Sequence, residues 1–277
     1  MTEQQRLDNA GLAAYFKRIG YEGDGAPTLA TLRAIHHAHA TTIAFENLTP
    51  LMRQPVNLDL PALLDKLVAS GRGGYCFEQN LLLRHVLTAL GFRVTGLAAR
   101  VRWNVPDGVV TARGHMLLRV DLADGPYLAD VGFGGLTLTA PLRLAPDLVQ
   151  QTPHEPFRLV EHGAGYALQG QVGGEWRPVY TFELQEQHQP DYEVSSWYLS
   201  NHPRSHFITS LIVARPDTGR RYALHNNQLS VHQLGGPSER RTLATVDELC
   251  ATLERDFRIT LPDRAALATA LAGVLRS

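Results

Sequence analysis

One of the chain's two cysteines sits in the stretch GRGGYCFEQN, Gly71 to Asn80, where glycines lead in and an amphipathic segment follows at once. A cysteine in the first turn of a helix lies at the positive end of the helix macrodipole. Unpaired amide hydrogens there favour an anion, so the thiolate is stabilised and becomes a nucleophile. The competing reading is a small buried core cysteine. Gly73 and Gly74 are expected to let the backbone turn tightly and to leave one side of Cys76 open. A thiolate nucleophile needs a base, and the base needs an orienting group. His115 opens the strand-like stretch HMLLRVDL, and Asp130 closes PYLAD before a glycine-rich turn. If Asp124-Gly125 joins these two stretches as a hairpin, His115 and Asp130 lie near one end of the pair. A charged imidazole there would hold the Cys76 thiolate, and Asp130 would fix the tautomer.

These residues must be carried by a specific set of elements. The first ninety residues read as helices: LDNAGLAAYFKRIGY, then TLATLRAIHHAHATTIAF after Pro27 and Thr28, then NLDLPALLDKLVAS, then FEQNLLLRHVLTALGF. From about Arg93 to Val213 short Val-, Thr-, Leu- and Tyr-rich segments between turn residues read as strands and hairpins. After Pro216, RRYALHNNQLSVHQL reads as strands, and TVDELCATLERDF and DRAALATALAGVL read as helices. The order is helical, then β, then mixed, which makes an α+β protein.

Composition narrows the function. With 277 residues, 44% of them apolar, there is enough chain for a sizeable core. A net charge of −1 offers no basic field for nucleic acid. There is no apolar run of membrane-spanning length, and the opening MTEQQRLDNAGLAAYF is too polar for a secretory signal. Two distant cysteines make no disulfide framework, so a cytoplasmic protein is expected. His36, His37 and His39 crowd one helix, but no cysteine or carboxylate follows at ligand spacing. They read as a plain helix face, and no metal is expected. Cys250, between Leu249 and Leu253, reads as core.

With Cys76, His115 and Asp130 in view, the sequence resembles the arylamine N-acetyltransferases. The match is carried by RGGYCFEQN around Cys76, GHMLLRV around His115 and LADVGFGG around Asp130, with YFKRIGYEG, IAFENL and NHPRSHFITSLIV in support. Ala44 departs from the pattern, which usually has proline there, and this is expected to loosen a turn. The resemblance implies a helical bundle over 1–92, a β-barrel over 93–213 and an α/β lid over 214–277, around a cysteine-protease-like catalytic core. It implies ping-pong transfer of acetyl from acetyl-CoA, as donor substrate, through Cys76 to an arylamine, hydrazine or hydrazide. Phe45, Phe133, Gly134 and Phe207 would line the substrate site, and Arg72 with Glu46 would form a supporting ion pair. Two alternatives use the same residues: a family-related amide synthase, and a Cys-His-Asp hydrolase or transglutaminase-like acyl transferase.

Overall fold

Asp8 starts helix α1 (Asn9–Ile19) by accepting from the Gly11 amide, and Gly20 closes it at φ 69°. Thr28 caps α2 (Leu29–Thr42) in the same way. The chain then runs through a two-residue strand β1 (Phe45–Glu46), a turn of helix α3 (Leu48–Leu51), and α4 (Leu60–Leu63). The sequence reads one helix through Asn57 to Ser70. The observed segment instead begins at Leu60 beside Pro61 and widens into a π-helical turn, Leu64–Ala69. Helix α5 (Cys76–Ala89) follows and is buried along most of its length. The computed structural model describes residues 6–276.

The central region is a seven-stranded antiparallel sheet. Its strands are β2 (Arg93–Val101), β3 (His115–Leu122), β4 (Gly125–Ala129), β5 (Leu142–Arg143), β6 (Phe157–His162), β7 (Gly165–Val172) and β8 (Glu175–Phe182), in the order β5-β4-β3-β2-β8-β7-β6. The segment after β5 returns to β6 through bridges at Pro146–Leu159 and Gln150–Phe157, so the sheet nearly closes into a barrel. Leu97, Leu117, Leu128, Phe157, Leu168 and Val179 fill its inside. The β3–β4 hairpin turns at Asp124-Gly125, with Leu118 opposite Ala129.

Helix α6 (Gln189–Asn201) falls in the stretch that the sequence reads as strands. Tyr192, Val194 and Tyr198 carry strand propensity. Pro190 in the first turn and the Asp191 carboxylate on the His188 amide start a helix nonetheless. Beyond it lie β9 (Ile212–Asp217), β10 (Arg220–His225), β11 (Gln228–Gln233), β12 (Ser238–Thr242), α7 (Val246–Arg255) and α8 (Arg264–Arg276). Strands β9 to β12 form a second antiparallel sheet whose other edge is β1, with Phe45 opposite Ala214. Helices α7 and α8 cover this sheet with Leu249, Leu253, Leu267 and Leu271, and Cys250 packs partly buried against the same cluster.

Candidate active site

Cys76 is the first residue of α5 and is 4% exposed. The Glu78 carboxylate turns back to the Tyr75 amide at 3.1 Å, while the Cys76 and Phe77 amides find no acceptor among the described residues. The helix therefore begins with free donors around the sulfur. Gly73 and Gly74 serve differently from the expectation, since neither has a positive φ. A Cβ on Gly73 would lie 2.1 Å from the Ala44 carbonyl oxygen, so glycine is there for room. That close approach lets Phe45 bridge to Gly74, with the Glu46 amide donating to the Gly74 carbonyl.

A buried chain of polar groups holds this junction. Gln79 Nε2 donates to the carbonyls of Ala44, Ile43 and Gly74. Gln79 Oε1 accepts from His39 Nε2 at 2.6 Å, and His39 Nδ1 accepts from the Tyr15 hydroxyl at 2.8 Å. Burial pushes the His39 imidazole down to about 4, so it is neutral and its tautomer is set by these two partners. The turn at Ala44 is thus not loosened, because its carbonyl accepts from both Gln79 and Gly74.

His115 Nε2 lies 2.7 Å from Asp130 Oδ2, and both side chains are buried. Nδ1, on the other edge of the ring, is left for the Cys76 side. The Cys76 Sγ sits 3.7 Å from the carbonyl of Gly114, the residue before His115. Burial opposes charge on His115, but the Asp130 carboxylate outweighs it, with Cys76 adding to the effect, and pushes the imidazole up to about 10. Burial likewise opposes charge on Asp130, and the His115 cation together with hydrogen bonds from Asn80 Nδ2 and the Gly132 amide lowers it below the usual carboxylate value. His115 is therefore an imidazolium at neutral pH, facing a sulfur at a helix start.

Two aromatic sets lie against the neighbours of Cys76, one at Tyr75 and one at His115. Phe45 packs against Phe207 with ring centres 6.1 Å apart, and Phe207 meets Tyr75 edge to face at 5.8 Å. Phe133 meets His115 at 5.3 Å and Tyr180 at 5.5 Å. Gly134, at φ 91°, lies against the Phe45 ring, where a Cβ would come within 3.4 Å. Arg72 donates to Glu46 Oε1 through Nε at 3.0 Å and Nη2 at 2.6 Å, and Glu46 Oε2 accepts from the Leu48 amide.

Sequence reading missed several site residues. His36 and His39 do not form a plain helix face: both are fully buried, and His36 Nε2 accepts from the Asp130 amide at 3.1 Å. Among the described residues no cluster could hold a metal ion. Asn80 contacts both Asp130 and the Met116 carbonyl, and its Oδ1 accepts from Val131. Tyr180 is fully buried beside Asp130, and burial and that carboxylate raise its phenol well above the ordinary value, although its hydroxyl makes no formed hydrogen bond. The one available signal was the position of Asn80 one helical turn after Cys76 on the same face.

A family model described as N-acetyltransferase matches residues 28–266, which include Cys76, His115 and Asp130. This chain belongs to that family. An arylamine N-acetyltransferase of Mycolicibacterium smegmatis is 48% identical over 92% of this chain and 94% of its own. One from Escherichia coli is 41% identical over 90% and 89%. A solved structure of the Mycobacterium marinum arylamine N-acetyltransferase in complex with CoA superposes with a TM-score of 0.92 at 43% identity, over 95% of this chain and 99% of that one. In this N-acetyltransferase two open clefts of about 670 Å³ lie elsewhere. One is between Leu58–Pro61, α5 and the start of α6, and the other is between the barrel and the five-stranded sheet near Trp103, His154 and His232. Their size does not make either the catalytic centre, because neither is lined by the thiol or the charged imidazole.

Proposed function

We propose that this chain transfers the acetyl group of acetyl-CoA to the nitrogen of an arylamine, hydrazine or hydrazide by way of a thioester on Cys76. The observation that carries the reading is the buried His115–Asp130 pair beside a thiol at the amide-rich start of α5. Cys76 Sγ, held as a thiolate by the His115 cation, forms a bond to the acyl carbon. The CoA sulfur leaves, taking a proton from His115. The free amides of Cys76 and Phe77 are suited to stabilise the oxyanion that forms on the way. An amine then attacks the acetyl-enzyme, neutral His115 takes its proton, and Cys76 leaves as a thiolate. Exchanging one thioester for another keeps the acyl group activated, and the buried setting of Cys76 and His115 limits competing water. Phe45, Phe133 and Phe207 offer rings on which a flat aromatic amine can pack, with Gly134 giving backbone access. The solved relative with CoA and the names of the curated relatives support donor and acceptor class. Both cysteines are free, as suits a reducing cytoplasm, and no described helix is long and apolar enough to cross a membrane.

The test is intact-protein mass after mixing with acetyl-CoA and no amine, with Cys76→Ala in parallel. We expect one acetyl adduct that requires Cys76 and disappears on adding an arylamine. An alkylatable Cys76 that takes no acetyl group would overturn the donor assignment.

A further inference from the structure

Three consecutive amides follow the end of β4 at Ala129, and none continues the β-ladder. The Asp130 amide donates to His36 Nε2 at 3.1 Å, the Val131 amide to Asn80 Oδ1 at 3.1 Å, and the Gly132 amide to Asp130 Oδ1 at 2.9 Å. Asn80 reaches this turn from α5, the helix that carries Cys76. His36 reaches it from α2. Building on the acyl-transfer reading above, we infer that His36 is a positioning residue of the reaction: its neutral Nε2 pins the Asp130 backbone so that Oδ2 meets His115.

The tautomer argument supports this. A backbone amide can only donate, so Nε2 must carry a lone pair. A neutral ring then has its proton on Nδ1, and that atom is fully buried with no partner among the described residues. A leucine or methionine would fill the same place and spare the unsatisfied Nδ1–H, but would leave the Asp130 amide without its acceptor. A buried histidine with one nitrogen used as an acceptor and the other unsatisfied is costly as packing and intelligible as a pin. The charge state fits. Burial drives the imidazole down to about 3, His39 and His37 push the same way, and Asp130 opposes them. His36 stays neutral wherever Asp130 is ionised at working pH. Without this acceptor the buried Asp130 amide is left facing its own carboxylate, which competes with His115 for it.

The experiment is the pH profile of Cys76 alkylation by iodoacetamide, which needs neither acetyl-CoA nor an amine. Wild type is expected to alkylate rapidly well into the acid range. His36→Leu is expected to shift this profile up by about one pH unit, losing about tenfold relative to wild type on the acid limb, while matching it at neutral and alkaline pH. His36→Gln, whose Oε1 can accept at similar reach, should restore most of the rate. A purely structural role predicts that His36→Leu changes melting temperature only, so an unaltered pH profile overturns the inference. If the leucine variant does not fold, ¹⁵N spectra of histidine-labelled wild type still decide. An Nδ1–H tautomer at His36 supports the pin, and an Nε2–H tautomer or a cation overturns it. Wild type that alkylates in acid yet forms no acetyl-enzyme would sink the acetyl transfer alone. Wild type whose Cys76 titrates as an ordinary thiol would sink both.

Discussion

Asp130 is fully buried and accepts from His115, Asn80 and Gly132, so its charge is balanced within the protein alone. Replacing it with asparagine keeps the shape and removes the balance. Asp130→Asn should lower acetyl transfer by about 10²- to 10⁴-fold, read as the rate of acetyl-enzyme formation. The pair also shapes stability. His115 is raised in the folded state, so its contribution is present below the ordinary histidine range and is lost as pH rises through about 10. Asp130 is lowered, so its contribution is present above the ordinary carboxylate range and is lost as pH falls below it. Melting temperature should therefore drop in alkali in wild type and less so in Asp130→Asn. At this scale Cys76, His115 and Asp130 were readable because a helix start and one hairpin turn bring them together. His36 and Asn80 were not, because they bond backbone amides and a carboxylate that only the tertiary fold brings near, and Tyr180 was not, because only the fold buries it beside that carboxylate.

Helix α5 reads as amphipathic, yet Glu78, Gln79 and Asn80 are as buried as Leu81 and Leu82. Their polar ends are spent on the junction before Cys76 and on the turn after β4, so hydrophobic periodicity could not reveal them. The same junction dictates two sensitivities. Gly73→Ala must displace the Ala44 carbonyl and should destabilise the protein by about 1–3 kcal/mol, read from denaturant midpoints, with loss of alkylation at Cys76. Arg72→Met leaves the Glu46 carboxylate buried without its cation and should cost about 3–5 kcal/mol, whereas Arg72→Met with Glu46→Gln should cost less. Helix α6 shows the converse limit of sequence reading, where residues with strand propensity are overruled by a proline and an acidic cap at the first turn.

Three hydrophobic clusters stabilise the whole molecule, and buried histidines set its tolerance to acid. Burial lowers His36 to about 3 and His39 and His85 to about 4. Each lowered group holds its stability above the unfolded value near 6.5 and loses it as pH falls from there toward the folded value, by at most about 1.4 kcal/mol per pH unit. Melting temperature should fall steadily from pH 6.5 toward 4. His85→Gln, which breaks no hydrogen bond among the described residues, should flatten that fall. The three-part order was readable because texture changes along the chain, but nothing local showed that Phe45 and Glu46, next to the helices, would become the edge of the last sheet. Asn47 reinforces that edge, its Oδ1 accepting from the Ile212 amide 165 residues later. During synthesis on a ribosome, then, the nucleophile's surroundings wait for strands made far later in the chain. A nascent chain would carry Cys76 long before it could protect or use it, and catalysis would begin only once β9 has emerged to pair with β1.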